Sequence, residues 1–266
     1  MFMIDINYYR YLLVFPTLFL NVIILNINYL GGIFMRIAAI SDIHGNLYAL
    51  MKVLEDIDQE KVDLIVCLGD LVGYGPHPNE VIALIKRREL PCLKGNYDAS
   101  VVDGDFTYIR NTPINAFSLP WAIEEVRASN KYFLSELPTT LEYDFEGAKI
   151  QFVHGSTKAI NEYLFEDGKN TEEIMKDFTG DVLVCAHTHI PSLKDFDGKT
   201  FVNVGSVGKP KIGRPNATYC ILDIKGPSDI KVKFKELEYE YKKIVKDCIM
   251  LKFPSSIVNS YESGQE

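Results

Sequence analysis

Ile37-Ala38-Ala39-Ile40-Ser41-Asp42-Ile43-His44-Gly45-Asn46 is the stretch on which the fold turns. Its apolar start predicts a buried strand, and Gly45-Asn46 marks the entry to a helix. Residues two apart on an extended chain share a side, so Asp42 and His44 can aim at one point beyond the strand's carboxyl end. A carboxylate next to an imidazole suits a divalent cation of borderline hardness. The competing reading is an Asp that merely caps the next helix. The remaining motifs have to decide.

Outward from this strand, Leu47, Leu50, Met51, Leu54 and Ile57 recur at helical spacing. Residues 63–68 then read as a second buried strand, ending in Gly69-Asp70. Strand, helix and strand in so short a span form a βαβ unit with parallel strands. Gly73, Gly75, Pro76 and Pro78 mark a loop before a second helix over residues 79–88. Residues 91–94 are expected as a short third strand, ending in Gly95-Asn96-Tyr97-Asp98. Three consecutive strands thus deliver metal-capable side chains at their carboxyl ends, where open α/β sheets bind ligands.

Residues 100–137 read as an irregular helical insert that caps the site or packs beside it. Strands resume at 139–143 and 148–153, the second ending in His154-Gly155. Residues 181–186 form another apolar strand, ending in His187-Thr188-His189. Asp197-Gly198 is a hairpin turn, and residues 203–208 a Gly-rich loop. Two more strands, 217–223 and 230–236, precede a helix to about Leu251. The domain is therefore set at 35–251, with 252–266 as a polar tail.

The order D-x-H, G-D, G-N-x-D, H-G, H-T-H over residues 36–236 closely resembles the calcineurin-like metallophosphoesterases, and within them the small bacterial and archaeal phosphodiesterase-like branch. The resemblance implies an α/β fold: a four-layer α/β/β/α sandwich with two mixed β-sheets flanked by helices. It implies two divalent metal ions, the first held by Asp42, His44 and His189 and the second by Asn96, His154 and His187, with Asp70 bridging. Its implied catalytic residues are Asp70, Asn96, Tyr97 and His187. The physical logic agrees: two dications roughly 3.5–4 Å apart need a bridging anion and can share one hydroxide, which attacks phosphorus in line. Oxygen and imidazole ligands without thiolate favour Mn, with Zn, Fe, Co or Ni as alternatives. The expected activity is hydrolysis of small phosphoesters, diesters above all. The alternatives are a nucleotide phosphohydrolase, acting on cyclic nucleotides or dinucleoside polyphosphates, and a protein-binding scaffold of the same fold. The scaffold reading predicts lost ligands, and all seven are present.

One departure bears on chemistry. Many members carry G-N-H-[DE], whose His helps protonate the leaving group, and this chain has Tyr97. A phenol of pKa about 10 donates a proton poorly near neutrality. Ala186, where Gly is usual, keeps a small side chain. Outside the motifs, His77 is read as a solvated loop residue, Asn46 as a helix cap, and Asp98 as a cap or a support for the site. Lys209, Lys211 and Arg214 are read as a solvated basic patch, with attraction of a phosphate as the alternative.

The net charge of −8 argues against extended binding along a nucleic-acid backbone. A small anionic substrate stays compatible with it, because a metal pair makes its site locally positive. The five cysteines are scattered without a C-x-x-C, as buried thiols in a reducing cytoplasm would be. Residues 1–34 are read as an apolar extension outside the core fold. No charge interrupts residues 11–35, so 11–30 could alternatively anchor the domain to a membrane, although Pro16, Asn21, Asn26 and Asn28 interrupt the run. The sequence leaves a homo-oligomer open.

Overall fold

In the computed structural model of the chain, residues 22–26 and 34–265 are described. Two sheets face one another. The smaller has the order β10 (Ile230–Leu237), β9 (Ala217–Ile224), β2 (Met35–Ile40), β3 (Leu64–Cys67). The larger has the order β1 (Val22–Asn26), β4 (Thr140–Phe145), β5 (Ala148–Val153), β6 (Val182–Cys185), β8 (Lys199–Asn203), β7 (Ser192–Phe196). Both are mixed: β2 runs parallel to β3 and antiparallel to β9, and β5 runs parallel to β6 and antiparallel to β4.

Alternation along β2 sorts its side chains between two cores. Ile37 and Ala39 turn towards the larger sheet and join Phe152, Val184 and Cys220 between the sheets. Ala38 and Ile40 turn outward to meet Leu50, Val53 and Ile57 of α1 (Leu47–Glu60). The same outer layer holds α2 (Pro78–Arg87), α3 (Asn96–Asp103), α4 (Pro113–Glu125) and α5 (Ala128–Glu136). On the far side, Ile174 and Met175 of α6 (Lys169–Asp177) cover Leu183, Cys185 and Phe201. The result is the four-layer sandwich that the motif order implied. All five cysteines are buried free thiols.

Three expectations need correction. Residues 91–94 form no strand: a single bridge joins Cys67 to Cys92, because Pro91 has no amide hydrogen with which to extend a ladder. The polar tail is instead α8 (Ser255–Ser263), which packs with α7 (Tyr241–Met250) through buried Ile257, Val258 and Tyr261. Polar residues on its other face hid this helix. The apolar extension is not wholly outside the fold either, since residues 22–26 form β1, parallel to β4. Residues 1–21 and 27–33 of the proposed extension or anchor lie outside the described residues. Among the described residues, no helix is long and apolar enough to cross a membrane.

Candidate metal centre

The site lies where the carboxyl ends of β2, β3, β5 and β6 meet, and its backbone is unusual. Asp42, His44, Asp70, His187 and His189 all have positive φ, between 48° and 66°. Such left-handed residues other than glycine carry strain and persist only where the surroundings fix them. Here backbone bonds between loops do so. Asp42 N donates to Gly69 O, His44 N to Asp70 O and Gly208 N to Asp42 O, at 2.9–3.0 Å. Each strand stops short and its last residues curl inward, aiming polar side chains at one place.

Three histidines are locked by their Nδ1 atoms. Nδ1–H of His44 donates to Val72 O at 2.9 Å, that of His154 to Leu68 O at 2.8 Å, and that of His189 to Lys209 O. This leaves Nε2 of each ring facing the site, the arrangement typical of metal-ligating histidine. The Nε2 atoms of His44 and His189 stand 3.2 Å apart. With both Nδ1 atoms already donating, two lone pairs face one spot, a repulsive arrangement that a cation relieves. Asp42 Oδ1 lies 3.3 Å from His189 Nε2. Among the described residues, neither it nor His187 Nε2, both buried, has a hydrogen-bond partner. Orphaned acceptors of this kind are costly unless something positive meets them.

Two groups emerge, Asp42–His44–His189 and Asp70–His154–His187, each with ligand atoms within 4.8 Å of one another. Asp70 joins them. Its Oδ1 accepts from Tyr97 N at 2.8 Å, while its Oδ2 lies 3.5 Å from Nε2 of both His44 and His154. Asn96 is brought to the second group, its Oδ1 2.9 Å from His154 Nε2, and its Nδ2 donates to Tyr108 O at 3.3 Å. All seven residues expected at the centre are therefore together, and each is at least 95% buried.

Electrostatics follow from this crowding. Burial works against ionisation of Asp42, but the imidazoles of His189, His154 and His44 hold it well below the usual carboxylate range. Burial would depress His154, but Asp70 and Asp42 outweigh it and carry the ring up to about 10. Burial pushes His44 down to about 4, and burial with the charge on His154 takes His187 to about 3. A proton and a cation thus compete for His154 Nε2. Metal uptake near neutrality is expected to release close to one proton and to weaken as pH falls. Indicator-monitored titration with Mn²⁺ checks this, and uptake without proton release would contradict it.

Asp98 turns out to support the site. It is fully buried, its Oδ1 accepts from Leu71 N at 2.9 Å and its Oδ2 from Gly95 N at 2.9 Å, so it ties the Asp70 loop to the Asn96 loop. Burial and the Asp70 charge raise it to about 7. Asn46 caps α1 as expected, accepting from Ala49 N. His77 is not simply solvated: its Nε2 pairs with Asp247 at 2.9 Å. Nor is Lys209 part of a solvated patch, because it is 1% exposed and lies over the Tyr74 ring at 4.7 Å. Arg214 pairs with Glu236.

A cleft of about 810 Å³ opens over the centre. The helical insert supplies one wall, including Tyr108, Arg110 and Ile114, and the loop after β5 supplies Tyr163 and Phe165. Sequence reasoning missed these residues, since loop side chains follow no period. The one available signal was the density of aromatic and cationic residues in 106–110 and 163–165. Tyr97 lines the cleft, but its hydroxyl donates to Asn115 Oδ1 at 2.8 Å, and burial pushes its pKa further up.

Two carboxylate–imidazole clusters joined by one aspartate, at the strand ends of a four-layer sandwich, form a candidate site for two divalent metal ions, as in a metallohydrolase. The chain belongs to the calcineurin-like phosphoesterase superfamily, whose domain matches residues 35–226, and it is a metal-dependent phosphoester hydrolase. It is 36% identical over 237 residues to the Methanocaldococcus jannaschii protein MJ0912, covering 82% of this chain and 93% of that one. It is 28% identical over 199 residues to the phosphodiesterase YfcE of Escherichia coli K12, covering 71% and 88%. A metallophosphoesterase structure from Sphaerobacter thermophilus superposes with a TM-score of 0.71 at 28% identity, covering 86% and 99%.

Proposed function

We propose that the protein hydrolyses small phosphodiesters, and other phosphoesters whose leaving group needs no proton, with manganese as its metal and in the cytoplasm. Asp42, His44 and His189 would hold one ion, and Asn96, His154 and His187 the other, with Asp70 shared. The observation that carries this is the pair of converging Nε2 atoms 3.2 Å apart beside the orphaned Asp42 Oδ1, a donor set of oxygen and imidazole only. When bound, two such ions supply Lewis acidity and a water of lowered pKa. The chain itself positions the reaction. Asn96 Oδ1 is oriented through its amide, and Asp70 is held by the Tyr97 amide hydrogen. The likeness to YfcE supports the diester preference.

Tyr97 sharpens that preference, because its proton is committed to Asn115 and is far too weakly acidic to assist an alkoxide. The test is a Mn²⁺-supplemented screen over aryl and alkyl mono- and diesters. Aryl diesters are expected to be turned over well and alkyl monoesters poorly, and chelation should abolish both. A strong preference for alkyl monoesters would refute the reading. Tyr97→His should raise the alkyl monoester rate about 10²-fold, at the lower end of general-acid contributions, with little change on aryl esters. Equal rates for both proteins on alkyl monoesters would show that position 97 does not limit proton delivery.

A further inference from the structure

His44, His154 and His189 are each tied through Nδ1 to a backbone carbonyl, and His187 is not. Among the described residues, no hydrogen bond reaches its ring; only its main-chain N–H is engaged, donating to Asp42 Oδ2 at 3.1 Å. What meets the ring is another ring. Tyr163 lies against it with centroids 4.0 Å apart and planes 36° from parallel, and the Arg110 guanidinium lies over Tyr163 at 4.4 Å. The chain that carries Tyr163 is fastened around it. The Glu162 carboxylate accepts from Ser156 Oγ and, at 3.1 Å, from Asn170 Nδ2, and that same amide grips the Tyr163 carbonyl at 3.0 Å. Ser156 Oγ in turn accepts from the Lys158 and Ala159 amides at 3.0 Å. Leu164 is fully buried in the cluster of Val153, Ile174 and Leu183. Alternation then leaves Tyr163 and Phe165 on the cleft side, their planes 6° apart. The Tyr163 ring is thus presented to His187 by a fixed stretch of chain.

Resting on the two-ion reading above, we infer that Tyr163 is a positioning residue for the second ion: its ring takes the place of the hydrogen bond that orients the other ligand histidines. Partners of that kind fix the direction in which an imidazole offers its lone pair. A stacked ring restrains tilt in the same way. Its hold also strengthens on loading, because a bound ion draws electron density out of the imidazole while the phenol face is negative. The two clusters then differ in kind. His44 and His189 are set by backbone carbonyls and need no loop side chain to complete them. In the second cluster His154 is set likewise, but His187 depends on a side chain from the loop after β5.

The test is calorimetric titration of the metal-free protein with Mn²⁺, followed by electron paramagnetic resonance, which separates a lone ion from a coupled pair. Tyr163→Ala is expected to bind one ion as tightly as wild type and the other about tenfold more weakly, at the lower end of such losses. At a Mn²⁺ concentration that just saturates wild type, the coupled signal should be largely replaced by that of a lone ion. Tyr163→Phe keeps the ring and should restore both ions, whereas Tyr163→Leu fills the space without a ring and should behave as the alanine variant does. An unchanged second affinity in Tyr163→Ala would overturn the inference. So would equal weakening of both ions, failure of Tyr163→Phe to restore them, or rescue by Tyr163→Leu, which would reduce the ring to filler. Wild-type protein that takes up a single ion would remove the two-ion reading and this inference with it. Tyr163 is only half-buried, so the variants should fold, and unchanged thermal unfolding without metal checks that they have.

Discussion

Asp70→Asn is expected to lower Mn²⁺-dependent turnover of an aryl diester by at least about a thousandfold, while the protein keeps its fold. The reason lies in how the two carboxylate oxygens are used. Oδ1 accepts the Tyr97 amide hydrogen, a role that the amide oxygen of Asn can take over. Oδ2 faces His44 and His154 at equal distances and carries the negative charge common to both clusters. Removing that charge would leave two bound cations with no shared anion to offset their repulsion, in a site where burial already amplifies electrostatics. Thermal unfolding without metal should differ little from wild type, whereas Mn²⁺ affinity measured by calorimetry should fall along with the rate. Turnover that survived the substitution would refute the dinuclear assignment outright.

Gly208→Ala should have the next largest effect, through the backbone. A Cβ at Gly208 would stand 1.8 Å from the carbonyl oxygen of Ile43, between the two left-handed residues Asp42 and His44. The obstacle is backbone and cannot rotate away. The Gly-rich loop would have to retreat, breaking the bonds from Gly208 N to Asp42 O and from Asn46 Nδ2 to Gly208 O. Overpacking of this kind costs about 1–3 kcal/mol, which should lower the unfolding temperature by several degrees. Mn²⁺ should bind more weakly, because the displaced loop also carries Lys209, whose carbonyl fixes the His189 ring. Wild-type stability and metal affinity would show that the loop yields freely.

The metal centre was legible because it is built from strand ends. Apolar strands announce themselves by composition, short loops keep ligands next to them in sequence, and seven residues in motif order leave few alternatives. Asp42 alone could have been a helix cap, but Asp70, His154 and His189 removed that option. The cleft was illegible for the opposite reason. Arg110 and Tyr163 lie 53 positions apart on irregular segments and meet only in three dimensions. Lys209 looked solvated because neighbouring Lys211 and Arg214 suggested a charged surface, whereas the turn buries it beneath Tyr74. The helix at 255–263 was obscured by its serines, although Ile257, Val258 and Tyr261 fall on one face. Asp98 could be either a cap or a support until the fold placed Leu71 and Gly95 on its two oxygens.

Each cluster also draws on both sheets. Asp42 and His44 leave β2 of the smaller sheet and meet His189, which follows β6 of the larger. Asp70 leaves β3 of the smaller and meets His154 and His187 from the larger. The cations would then act as rivets through the seam of the sandwich, adding to its apolar packing and to the hydrogen bonds from His154 Nδ1 to Leu68 O and from His187 N to Asp42 Oδ2. Neither half on its own offers a finished binding site, so bound metal would tie the two sheets together. Any free energy of metal binding adds to the cohesion between the halves in proportion to the logarithm of metal concentration.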